Sequence, residues 1–225
     1  DRMLDMGFFK DVTRIVEKVK NRKNLGLFSA TISQEVMTVS WMYQRNEVEI
    51  TVEPKLDDRP DIDQYSITTT PMSKAETTLR LIRTQGFERV MIFCNTKRMV
   101  DEIAAYLDRH GFMAEGLHGD MKQSQRTKVM EGFKHGRTGI LVATDVAARG
   151  IDVTGIDYVI NYDIPQSSEY YVHRIGRTGR AKRQGVAVSF VADFPSKIRI
   201  DDIAKNTRNE ILPVKFDENG SLTMA

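Results

Sequence analysis

Two kinds of segment alternate along this chain. Short apolar or β-branched runs recur at Leu25–Ser29, Val48–Val52, Tyr65–Thr70, Val90–Cys94, Gly139–Ala143, Tyr158–Tyr162 and Val186–Val191, each of strand length. Between them, Lys10–Lys20, Gln34–Tyr43, Ser73–Thr84, Met99–His110, Ser124–Gly132 and Glu169–Gly176 place apolar residues at helical spacing. Strands alternating with amphipathic helices predict an α/β fold, a parallel sheet covered by helices on both faces. Local signals mark the ends of elements. Ser73 with Glu76 forms a capping-box pattern that starts a helix, and the basic turn Arg109-His110 followed by Gly111 ends one. Gly176 and Gly179 stop the helix that passes through Tyr170.

The segment Glu53–Pro60 interrupts the alternation. Two prolines among acidic and polar residues predict an exposed linker over 53–60. Residues 61–214 are the right size for one α/β domain. Residues 1–52 offer only two strands and two helices, too little for a sheet domain of their own. Their unpaired strand edges are expected to join another copy or pack on the second domain, as a homodimer or swapped arrangement. Residues 215–225 are polar and expected to form a flexible tail.

Composition then limits the partners. The 225 residues are 40% hydrophobic with a formal net charge of +2, so any polyanion site must be local. The single cysteine, Cys94, excludes an internal disulfide and fits a reducing compartment. It lies in an apolar run where a buried structural thiol is expected. No apolar run reaches the roughly 18 residues of a membrane span, and Asp1–Asp5 does not resemble a signal peptide. A cytoplasmic location is expected, or a nuclear one in a eukaryote. Without an initiating methionine, the chain reads as a piece of something longer.

One short stretch concentrates the chemistry. His173-Arg174-Ile175-Gly176-Arg177-Thr178-Gly179-Arg180 sets arginines at three-residue spacing, with two glycines and no acid. Guanidinium groups stay charged and match phosphate oxygens two at a time, so the cluster calls for a polyanion. By itself it also reads as a solvated basic turn. Ligands of open parallel sheets bind beyond the C-terminal strand ends, and other polar groups gather there. Asn95-Thr96-Lys97 opens a helix, offering N–H groups, a hydroxyl and an ammonium to a phosphate, or an N-cap and a solvated lysine. Beyond His118-Gly119-Asp120-Met121, Gln123 and Arg126 can face a nucleic-acid backbone, or solvent alone. Thr144 ends a strand, placed for a phosphate oxygen or a turn cap. Asp152, in a Gly-Ile-Asp turn, suits a ribose hydroxyl or the turn itself.

Together these residues resemble the DEAD-box RNA helicases, over essentially the whole chain. Asp1–Phe8 is similar to the residues leaving the family's Asp-Glu-Ala-Asp box, with Asp1 as its last aspartate. Ser29-Ala30-Thr31 matches the motif that links ATP hydrolysis to strand separation. Ile92–Lys97, His118–Met121 with Gln123 and Arg126, Ala143–Asp152 and His173–Arg180 match the second domain's motifs in the family's order. His173 favours this branch over the DEAH-type relatives, which begin the last motif with glutamine.

The resemblance implies a RecA-like second domain preceded by an incomplete piece of a first, which in the family close over ATP and single-stranded RNA. Arg177 and Arg180 would be arginine fingers at the γ-phosphate, with His173 coupling them to the first domain. Gly150, Asp152 and Asp1 would belong to the ATP site, Asp152 at the ribose. Thr96, Lys97, Gly119, Gln123, Arg126 and Thr144 would touch the RNA sugar-phosphate backbone. Contacts of that kind carry no base code, so binding would be sequence-independent and salt-sensitive. Ser29, Ala30 and Thr31 would couple the two domains.

The chain also departs from the family's pattern. No Gly-x-x-x-x-Gly-Lys-Ser/Thr phosphate loop occurs in it. The start of the acidic box, the adenine-reading segment and the first domain's RNA motifs are absent too. ATP and Mg2+ would then be held mainly by a missing N-terminal part, with no metal site inside this chain. The chain alone is expected to be inactive. Two other readings stay open at the level of sequence: a passive module for RNA backbone or a protein partner, and a DNA-directed helicase of the same architecture.

Overall fold

A strand that is apolar at successive positions needs cover on both faces, as a parallel sheet between two helix layers provides. The computed structural model, which describes residues 2–5, 7–29, 34–52, 61–148, 155–179 and 184–225, has such a sheet. The chain divides into two compact units, residues 1–55 and 56–225. No helix among the described residues is long and apolar enough to cross a membrane.

Among its described residues the first unit holds three helices, α1 (Arg2–Asp5), α2 (Phe9–Lys18) and α3 (Gln34–Tyr43). A small apolar cluster of Leu4, Val36 and Val39 joins them, with Phe9, Val12, Leu27 and Tyr43 packed against it. The strands expected at Leu25–Ser29 and Val48–Val52 are irregular backbone instead. A strand exists only with a partner, and this unit supplies none among its described residues. The expected dimer or swapped arrangement rested on those strand edges, and that basis is removed. Phe28, Trp41, Val48, Ile50 and Val52 are left exposed.

In the second unit the strands are β1 (Ile62–Thr68), β2 (Val90–Phe93), β3 (Ala114–Leu117), β4 (Ile140–Ala143), β5 (Tyr158–Asn161), β6 (Gly185–Val191), β7 (Leu212–Phe216) and β8 (Leu222–Met224). They form one eight-stranded sheet ordered β3-β4-β2-β5-β6-β1-β7-β8, parallel except for the antiparallel β7–β8 pair. Its helices are α4 (Lys74–Gln85), α5 (Lys97–Arg109), α6 (Gln123–Lys134), α7 (Asp145–Ala148), α8 (Ser168–Ile175) and α9 (Phe194–Thr207). Successive side chains of the central strands enter opposite layers. Val90, Ile92, Val142 and Ile160 pack with Leu79 and Ile82 of α4 and Val100 and Leu107 of α5. Met91, Phe93, Leu141 and Val159 pack with Phe133 of α6, Tyr171 and Ile175 of α8, and Ile200 and Ile203 of α9.

Six elements lie outside the sequence expectation: α1, β3, α7, α9, β7 and β8. β3 ends directly before the His118–Met121 motif, and α9 starts at the Asp193 cap with Pro195 in its first turn. The tail expected over 215–225 is a hairpin, so the sheet domain runs past residue 214. Asp217 Oδ1 accepts hydrogen bonds from the N–H groups of Asn219 (2.9 Å) and Ser221 (2.8 Å), turning the chain into β8. That strand covers the open edge of β7, whose Val214 is buried.

Gly185 starts β6 hard against the turn that follows α8. A Cβ there would sit 2.3 Å from the Gly179 nitrogen and 2.5 Å from Thr178 Oγ1. Gly185→Ala should therefore lower stability by about 1–3 kcal/mol, the usual range for overpacking. Urea denaturation at unchanged slope measures this; an unmoved midpoint would refute the close approach.

Asp193 offers a second test. Its carboxylate accepts from Ser196 N at 2.7 Å, and the hydrogen bonds from the Ser196 backbone, then its side chain, hold it below the usual carboxylate range. Because the folded value is the lower one, the cap's contribution is present above an unfolded value of roughly 4. It is lost as pH falls through the folded value. Asp193→Asn, which caps without titrating, should flatten the acid limb of Tm plotted against pH. An identical limb in both proteins would rule the cap out as its source.

Candidate functional site

Parallel strands send their C-terminal ends to one edge, so the loops β2–α5, β3–α6, β4–α7 and β5–α8 meet there. Arg174 of α8 binds them together. It is 1% exposed, and its guanidinium lies 5.1 Å from the centre of the Phe93 ring. Nε donates to Asp145 Oδ1 at 2.6 Å, and Nη2 donates to Asp145 Oδ2 at 2.8 Å and Asn95 Oδ1 at 2.9 Å. Nη1 donates to the Asp163 carbonyl at 2.6 Å and to Asn161 Oδ1 at 3.3 Å. All five N–H groups of the side chain are thereby used. The sequence shows three arginines waiting for a polyanion; the first of them has its anion inside the fold, in Asp145.

Asn95 is fixed from three sides. Besides accepting from Arg174, its backbone N–H donates to Asp163 Oδ2 at 3.0 Å and its Nδ2 to the Ile164 carbonyl at 3.1 Å. Asp163 Oδ1 in turn accepts from Lys74 Nζ at 2.5 Å, and that ammonium lies 4.3 Å over the Tyr162 ring. The next residue, Thr96, caps α5: its Oγ1 accepts from Met99 N at 3.2 Å, so one lone pair is occupied while the side chain stays at the surface. Lys97 follows, exposed and ion-paired with Asp120, whose carboxyl this hydrogen bond holds below its usual range.

The β3–α6 loop lies beside it. Gly119 is exposed, and Lys97 Cε is the near neighbour a Cβ there would meet, at 3.9 Å. His118 Nε2 lies 3.0 Å from Asp101 Oδ1 on α5. Gln123 and Arg126 stand on the first turn of α6, Gln123 exposed and Arg126 half-buried. Thr144 is half-buried; its N–H donates to the Leu117 carbonyl at 3.3 Å, and its own carbonyl accepts from Ala148 N at 2.9 Å.

His173 and Arg177 flank Arg174 along the chain. With Phe93, Asp145, Ala148 and Tyr170 they line a small cleft. The backbone around Arg177 is tightly held. Gly176 caps α8, and buried Thr178 donates from Oγ1 to the Ile156 carbonyl at 2.6 Å. Gly179 adopts φ +69, with Ile62 Cγ1 only 2.6 Å from where a Cβ would stand. Arg180, Gly150, Asp152, Asp1, Ala30, Thr31 and the linker 53–60 lie outside the described residues. Ser29 lies on exposed irregular backbone of the first unit. Cys94 is buried, and burial pushes its thiol pKa up, as suits a structural thiol.

The sequence reading did not single out Asp145, Asp163, Lys74 or Asp101. Asp145, Asp163 and Lys74 each sit at a strand end or a first helical turn of the same edge, and Asp101 lies one turn into α5, positions that could have flagged them. The partner of each, however, lies 29, 11, 89 or 17 residues away along the chain.

The helicase conserved C-terminal domain family matches residues 73–182, which contain the whole edge just described. The ATP-dependent RNA helicase DeaD of Buchnera aphidicola is 44% identical over 191 residues, 85% of this chain and 32% of that protein. The E. coli DEAD-box protein SrmB, solved bound to regulator of ribonuclease activity A, is 33% identical with a TM-score of 0.67 over 72% of this chain and 95% of that one. S. cerevisiae Dbp5 bound to RNA and ADP BeF3 is 29% identical with a TM-score of 0.80, over 91% of this chain and 55% of that one. The chain spans between about a third and a half of the length of the curated relatives it matches. Motifs, sheet order and these similarities agree: the chain belongs to the DEAD-box family and carries its RecA-like helicase C-terminal domain.

Proposed function

We propose that this chain is the C-terminal part of an ATP-dependent RNA helicase, containing the second RecA-like domain and the last piece of the first. One observation carries the proposal. A single sheet edge presents two surfaces suited to phosphate, and Arg174 joins them. On one side His173 and Arg177 line a cleft. On the other stand Thr96, Lys97, Gly119 and Thr144, with Gln123 and Arg126 on the neighbouring helix turn. Names of relatives such as DeaD, and the RNA and ADP BeF3 bound to Dbp5, support the same reading.

The cleft fits an anion. Its one carboxylate, Asp145, is already paired bidentately with Arg174, so it opposes a phosphate weakly. ATP with Mg2+, when bound, supplies the phosphoryl group that passes to water. Arg177 and Arg180 would stand at its γ-phosphate as fingers, Gly150 and Asp152 toward its ribose, and Asp1 among the acids of the first domain. Arg177 acts there as a fixed positive charge that needs no proton transfer, held by a turn with little freedom to move. His173 would relay the position of this turn to the first domain, as would Ser29, Ala30 and Thr31 from their side.

On the RNA surface every proposed contact goes to phosphate or sugar, so the complex would grip any sequence and weaken with salt. The exposed Phe28, Trp41, Val48, Ile50 and Val52 would lie under the missing part of the first domain. The linker would be 53–60 and the second domain would run from 61 through the hairpin. Such a protein works on cytoplasmic RNA, or nuclear RNA in a eukaryote.

Two outcomes test this. The 225-residue chain should hydrolyse ATP negligibly with or without RNA, and robust turnover by it would end the proposal. In the complete protein, Arg177→Lys with Arg180→Lys should lower RNA-stimulated turnover by about 10³–10⁵, while RNA binding without nucleotide barely changes. Arg174→Ala is the contrast: it strands the half-buried Asp145 carboxylate and the amides around it and should destabilise the domain by about 3–5 kcal/mol in urea denaturation. Equal loss of folding in the Arg177 and Arg180 variants would assign all three arginines to structure.

A further inference from the structure

Lys97, assigned above to the RNA backbone, already has an anion. Its Nζ pairs with Asp120 Oδ1 while both side chains stay more than half exposed, at 53% and 67%. The pair bridges the first turn of α5 and the β3–α6 loop. That loop is not free to drift: His118, its ring mostly buried, lies 3.0 Å from Asp101 one turn further along α5. Its backbone N–H also points at Met121 Sδ, 3.5 Å away. Asp120 is thus presented to Lys97 from a loop held in place. Gly119 immediately before it leaves open space, since Lys97 Cε at 3.9 Å is the contact a Cβ there would make.

A carboxylate and a phosphodiester are interchangeable partners for an ammonium, each offering anionic oxygens at the same distance. An RNA phosphate arriving at Lys97 and Gly119 must displace Asp120 or sit beside its negative charge. Either event lowers affinity a few-fold at an exposed, water-screened site. We propose that Asp120 is a built-in competitor for RNA: a carboxylate that holds Lys97 when RNA is absent, yields it to a backbone phosphate, and recaptures it as RNA leaves. Its effect is to weaken the grip of this domain and speed release, with no change in the sequence recognised. Pairing with Lys97 keeps the Asp120 carboxyl below its ordinary range, so the competitor stays charged at neutral pH. The inference rests on the proposed contact between Lys97 and RNA.

The test uses the full-length protein, a fluorescein-labelled single-stranded oligouridylate and a non-hydrolysable ATP analogue, titrated at several KCl concentrations. Asp120→Asn should bind about two- to tenfold tighter at low salt and release RNA more slowly, the gain shrinking as salt rises. Lys97→Ala should weaken binding and reduce the slope of log K against log salt by about one. Asp120→Asn added to Lys97→Ala should then change little, because the competitor has lost its target. If Lys97→Ala alters neither affinity nor slope, the RNA contact itself is wrong, and the competitor falls with it. If Lys97→Ala weakens binding but Asp120→Asn does not tighten it, the competitor alone is overturned. Equal tightening by Asp120→Asn with and without Lys97 would also overturn it, as a general loss of negative charge. Melting curves show whether both exposed substitutions leave the fold intact.

Discussion

The five N–H groups of Arg174 are the constraint on which this sheet edge depends. A buried guanidinium is costly to desolvate, and the burial is tolerable only when every donor is matched. Here the matches come from the ends of β2, β5 and β4–α7 at once: Asn95, Asn161 with the Asp163 carbonyl, and Asp145. Such a network contributes less to net stability than its bond count suggests, because a hydrophobic replacement avoids the desolvation. Its effect is geometric. It allows α8 one rotation and one height over the sheet, and so determines where His173 and Arg177 stand relative to Thr96 and Lys97.

Tight backbone packing completes what Arg174 begins. The turn after α8 cannot swing, because Thr178 is hydrogen-bonded to the Ile156 carbonyl and Gly179 is pressed against Ile62 of β1. Gly185 of β6 closes on the same turn from its far side. Two glycines and a buried threonine thus convert a basic stretch into a rigid shelf, with Arg177 on it between two anchored neighbours. The proposed role of Arg177 at a developing phosphate charge calls for such a shelf, since a charge that moves during the reaction wastes the interaction. The motif's uncharged residues are therefore as consequential as its arginines.

The sequence made much of the second unit legible for a physical reason. Strands buried on both faces have few polar positions, so β2 and β4 stand out as continuous apolar runs, β5 and β6 are interrupted only by Asn161 and Ser189, and the helices between them keep a clear period. Among the elements that escaped are strands whose existence depends on partners. β3 is half-buried, and β7 and β8 are short strands of five and three residues in which only Val214 is buried. The runs at Leu25–Ser29 and Val48–Val52 show the reverse error: strand-like composition without a sheet to join. The candidate residues were legible as a set, through motif order. Their division of labour was not, because the role of Arg174 is decided by one carboxylate and two side-chain amides 13 to 79 residues away.

Burial is what sorts the cations of this edge into fixed and available. Arg174 and Asp145 share a pair whose side chains are 1% and 19% exposed, in surroundings where breaking it leaves an uncompensated charge. Lys97 and Asp120 share one at 53% and 67%, where water and salt can replace either partner at small cost. A phosphate arriving from solvent can compete for the second ammonium and not for the first guanidinium. Counting basic residues in a motif therefore overstates the charge it offers a nucleic acid. The charge that counts is the part the fold holds loosely, and at this edge a carboxylate next to Gly119 holds it.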